Sequence, residues 1–222
     1  MEPNWAEENL QVIRTLMERA ALYRRALAPT MLSTGIIGVL AAFGGTMLKI
    51  ESVGGFLCYW SVVAAVVILL AVRIVRGQAV KANEPIWSPP AKRVALAFSA
   101  PLFAGAGLTV PLMRVAFKMS FVDLSGQVPL VTFIGLWLVL YGCALHAASF
   151  FISRGVRLLG WAFILIGCSL FSRLYFSSIH DFGEENYPWW LRPHFVMGLT
   201  FGGLHLIAGI YLYFTEKGRN VQ

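Results

Sequence analysis

The chain reads as an all-α integral membrane protein: a bundle of six transmembrane helices preceded by an amphipathic helix. Three observations predict this. Hydrophobic residues make up 58% of the 222 residues and charged residues only 13%, outside the usual soluble range. Six apolar stretches, at about 31–50, 56–76, 94–113, 129–152, 155–176 and 194–215, are each long enough to cross ~30 Å of hydrocarbon as a helix. When the connecting segments are assigned alternately to two sides, one side carries 13 Lys/Arg and the other 5. The basic side holds the N-terminus, residues 73–93, residues 153–157 and the C-terminus, so both ends are expected in the cytoplasm of a plasma or inner membrane. The expected division is 1–28 amphipathic cytoplasmic helix, 29–215 six-helix transmembrane domain and 216–222 cytoplasmic tail.

Residues 4–28 have a helix of their own. Asn4 followed by Glu7 is a variant capping box, Glu7 and Glu8 suit the first turn, and Arg24 and Arg25 suit the last. Ile13, Leu16, Ala20, Tyr23 and Leu27 recur at helical spacing on one side. Such a helix rests on the membrane surface or docks a protein partner. Pro29, Pro129 and Pro193 each stand where a span is expected to begin, where a missing amide costs nothing.

Between spans two and three, Asn83-Glu84-Pro85-Ile86-Trp87-Ser88-Pro89-Pro90 reads as a stiff non-helical loop. Span three carries Pro101, which removes the helical partner of the Ala97 carbonyl, so this face is expected toward the bundle interior. Tyr59, Trp60, Tyr175, Trp189 and Trp190 on one side, and Trp161, Tyr211 and Tyr213 on the other, read as interface anchors. Gly198 and Gly202 form a small-xxx-small pair, and Gly135 with Gly142 and Gly160 with Gly167 are heptad pairs. These glycines predict close packing of spans four, five and six.

The net charge of +7 is orientation charge facing anionic lipid, not a nucleic-acid footprint, because no basic stretch is interleaved with stacking aromatics. The cysteines Cys58, Cys143 and Cys168 fall inside spans and read as small packing residues. No Asp, Glu, Lys or Arg lies near the middle of any span, which argues against ion-coupled transport of a charged solute. No nucleophile motif, phosphate-binding loop or buried carboxylate pair appears, so no enzymatic activity is expected.

Two intramembrane histidines remain. His146 and His205 are expected to make separate polar contacts between helices, since their nominal depths differ by ~7 Å at 1.5 Å per residue. No cofactor is therefore expected; the alternative is a haem held between the two imidazoles. The last outer loop gathers His180, Asp181, Glu184 and His194, a weak candidate divalent-metal set without a recognised ligand spacing. Three function classes are compatible with these residues. The leading one is a non-catalytic accessory or signal-relay module that meets a partner through residues 4–28 or the last outer loop. The others are a channel or carrier for a small neutral solute, suggested by the Gly/Pro breaks in spans three and six, and a haem- or metal-binding redox protein.

Overall fold

A computed structural model of the chain describes residues 4–81, 85, 87, 89–118, 127–176 and 189–219. The described residues are helical almost throughout, with no strand among them. The helices are α1 (Asn4–Met47), α2 (Val53–Lys81), α3 (Pro89–Lys118), α4 (Gln127–Ser149) and α5 (Arg154–Phe176). A 3₁₀ turn at Trp189–Leu191 then leads into α6 (Pro193–Met197), a π-helical stretch (Gly198–Leu204) and α7 (His205–Arg219). The last three run on without a break and together form span six. Among the described residues six helices are long and apolar enough to cross a membrane, which makes this a polytopic membrane protein in contact with the lipid bilayer.

Among the boundaries that differ from those expected, three bear on the packing. The helix does not stop at Pro29, because α1 runs through it as one rod of 44 residues. Proline withdraws a single amide, the partner of the Arg25 carbonyl. The neighbouring turns keep their bonds, and the Thr30 hydroxyl donates to the Ala26 carbonyl at 2.6 Å. Where the chain enters an apolar medium, continuing the helix costs less than exposing several unpaired amides. Similarly, Pro89 and Pro90 are not loop residues but the first turn of α3, where no amide is required. The third is α2, which starts at Val53, three residues before the apolar stretch read from the sequence.

The turn after α1 follows a Schellman pattern. The Ile50 amide donates to the Gly45 carbonyl at 3.2 Å and the Lys49 amide to the Thr46 carbonyl at 3.2 Å. Lys49 occupies the left-handed position of that motif, φ 52°, where glycine is usual. The turn sends α2 back alongside α1 and leaves the Ile50 carbonyl facing the bundle.

Two helix pairs are locked by glycine. On α4 and α5, a Cβ on Gly142 would stand 2.7 Å from the Gly160 carbonyl, and one on Gly167 2.7 Å from the Gly135 carbonyl. The glycines of span six lie elsewhere than on α4 and α5: Gly198 meets Ala42 of α1, and a Cβ on Gly202 would stand 2.9 Å from the Val39 nitrogen. Backbones in contact at this distance exclude any side chain. α3 is seated mainly on α4. Its less exposed side carries Val94, Ala97, Phe98, Pro101, Gly105 and Thr109, so the carbonyl released by Pro101 lies on the side turned toward the bundle.

Candidate functional site

Span six carries two buried histidines, one above and one below the π-helical stretch, and each is a junction between helices. His205 is 1% exposed. Its Nδ1 lies 2.6 Å from the Phe201 carbonyl, and its Nε2 lies 2.8 Å from the Tyr141 hydroxyl of α4. A carbonyl only accepts, so Nδ1 carries the proton and the Tyr141 O–H donates to Nε2. The backbone explains why Phe201 is available: the His205 amide bonds the Gly202 carbonyl, three residues back, and not that of Phe201. Aromatic rings close the site. Phe163 of α5 and Phe201 stand 5.4 and 6.3 Å from the imidazole, centre to centre. The result is a dry three-group chain, Tyr141 to His205 to Phe201, joining α4 to span six.

His194 lies at the other end of the π stretch, in the first turn of α6. The Trp60 indole N–H of α2 donates to its Nδ1 at 3.2 Å. Its Nε2 therefore carries the proton and donates to the Ile50 carbonyl at 2.9 Å. The tautomer is the reverse of that at His205, because the partners are a donor and a carbonyl in the opposite order. Phe56 and Tyr59 flank the ring, with centres 5.1 and 5.9 Å away. Gly45 leaves the room the imidazole occupies, since a side chain there would overlap it. The Tyr59 hydroxyl donates to the Ala41 carbonyl at 2.7 Å. α1, α2 and span six are thus tied at one point.

Tyr59 and Trp60 are consequently internal ties and not the interface anchors the sequence suggested. α2 starts early enough that both lie more than a turn inside it, on the side facing α1 and span six. His194 is not turned out toward a loop metal site; both of its nitrogens are bonded inside the bundle. His180, Asp181 and Glu184 lie outside the described residues. Among the described residues no three His, Cys, Asp or Glu side chains gather as a metal site. His146 meets neighbours of its own, Phe150 and Trp161, with ring centres 5.5 and 5.4 Å away. A metal or haem at His205 would have to displace Tyr141 or break the bond to Phe201.

Sequence reasoning missed Tyr141, whose role depends on a partner 64 residues away. It also missed Thr109, which donates to the Gly105 carbonyl at 2.7 Å and accepts from the Trp137 indole at 3.1 Å. A polar residue within an apolar stretch was the one available signal for each. Neither a protein-family model nor a curated protein nor a solved structure matches this chain.

Proposed function

We propose that the protein is a non-catalytic relay or accessory module, with residues 4–28 as the element that meets a protein partner. One observation carries the reading: the charged stretch at Asn4–Arg25 and span one belong to a single helix, Asn4–Met47. A displacement applied to the charged end travels along a stiff rod, because the backbone hydrogen bonds of the helix continue on both sides of Pro29, which gives up a single one. The rod bears directly on the π stretch of span six through Gly38, Val39 and Gly202. π turns inside α-helices occur frequently at functional sites. Both termini face the cytoplasm in this reading, on the 13-to-5 basic bias.

The test is purification of the full chain in mild detergent, with mass spectrometry of whatever accompanies it. A stoichiometric protein partner is expected, and it is expected to be lost when residues 1–24 are deleted while the bundle stays folded. Purification of the chain alone, or a partner retained by the truncated chain, removes the reading. A second reading, a carrier for a small neutral solute, draws on the π stretch together with Pro101 and Pro111 in α3, the span with the smallest buried share. Solute flux into liposomes containing only this protein would favour it.

A further inference from the structure

α2 and α3 carry matching stripes that the bundle leaves uncovered. On α2, Val62, Val66, Leu69, Arg73 and Arg76 succeed one another at intervals of three and four, all exposed. On α3, Lys92, Leu96, Phe103 and Val110 repeat the pattern, again exposed. Residues three and four apart lie on one side of a helix. Each stripe is therefore apolar along its length and cationic at one end. The seven residues between α2 and α3 make the two helices antiparallel neighbours, so both cationic ends lie at the same end of the pair.

The lengths match a lipid. Hydrocarbon ~30 Å thick takes up about 20 helical residues. Counted from Val53, the first residue of α2, it ends near Val72, which puts Arg73 and Arg76 at head-group depth. From Arg73 to Val62, and from Lys92 to Phe103, the helix rises ~16 Å, close to one leaflet of hydrocarbon. No described carboxylate lies near these charges. Among residues whose side chains are described, the only carboxylate is Glu51, in the turn at the opposite end of α2. Cations at this depth attract anionic lipid head groups.

We propose that the α2–α3 face binds an anionic phospholipid, its phosphate held by Arg73, Arg76 and Lys92 and its acyl chains laid along the two stripes. Full-length protein in a neutral detergent is titrated with phosphatidylglycerol, with phosphatidylcholine of the same chains, and with inorganic phosphate. Lipid retained is counted by mass spectrometry and thermal unfolding is followed in parallel. Phosphatidylglycerol is expected to be retained and to raise the unfolding temperature; the other two are not. Arg76→Gln with Lys92→Gln is expected to weaken retention about 30-fold, at about fivefold for each cation near the surface. Either single replacement, expected at about fivefold, serves if the pair does not fold. Lys49→Gln with Arg154→Gln removes the same charge elsewhere and is expected to leave retention at the native level. Equal retention of phosphatidylcholine, an equal response to inorganic phosphate, or an equal loss in the Lys49/Arg154 control overturns the proposal.

Discussion

At the scale of single residues, the histidines of span six decide more than any other side chains. An imidazole buried in an apolar medium needs a partner for each nitrogen, and the two rings solve this with opposite tautomers. Tyr141→Phe removes the donor to His205 Nε2 and leaves that nitrogen unpaired. Interhelical bonds of this kind in membrane proteins contribute ~0.6 kcal/mol on average and reach about 1.7. The dry surroundings of His205 place Tyr141→Phe in the upper part of that range, at about 1 kcal/mol lost in a detergent denaturation curve. No change in stability would mean that the hydroxyl and imidazole are not bonded.

Glycines one residue apart give a sharper contrast. A Cβ at Gly202 would stand 2.7 Å from Val39 Cγ2 and 2.9 Å from the Val39 backbone nitrogen, which cannot move without displacing α1. At Gly203 the nearest atom would be Leu199 Cδ1 at 3.9 Å, an ordinary contact. Gly202→Ala is expected to destabilise by roughly 1–3 kcal/mol, as overpacking does. Gly203→Ala is expected to be neutral or better, since alanine is the stronger helix former. Thermal unfolding of the two variants side by side reads the difference, and similar behaviour of both would contradict the contact with α1.

At the scale of elements, α1 is where sequence and structure part most clearly. A helix beginning near Asn4 and the apolar run after Pro29 were legible, and each is local. Whether Pro29 ends a helix is not local. It depends on what the neighbouring amides would otherwise meet, and at the edge of a bilayer they would meet hydrocarbon. Span six shows the same limit. Its length and its glycines could be read from the sequence, but the π turn lies where Gly202 meets α1 and where His205 bonds the Phe201 carbonyl. No residue pattern within the span announces either. The tie between Trp60 and His194 crosses 134 residues and lies beyond any local reading. If α1 is continuous, spin labels at Leu10 and Leu40, both exposed, stand ~45 Å apart, from 30 residues at 1.5 Å each. A single narrow distance near that value is expected; a short or broad distribution would place a hinge at Pro29.

At the scale of the whole molecule, the described residues hold six candidate spans, an even number, which puts Asn4 and Arg219 on the same side of the membrane in either orientation if each one crosses. The Lys81 end of α2 and the Arg154 start of α5 share that side, while the Lys49 turn lies on the other. Orientation itself comes from charge alone. The side with both termini carries 13 Lys/Arg against 5, spread over short segments, which is where the positive-inside bias acts. A cysteine in place of Lys49 is therefore expected to react with a membrane-impermeant maleimide added to intact cells. One in place of Lys81 is expected to react only after permeabilisation. The measurement requires Cys58, Cys143 and Cys168 to be replaced first, because all three are exposed on the helices. The reverse labelling pattern would leave the bundle and its two glycine-locked pairs untouched. It would put residues 4–28 outside the cell, and a cytoplasmic partner would no longer be available to them.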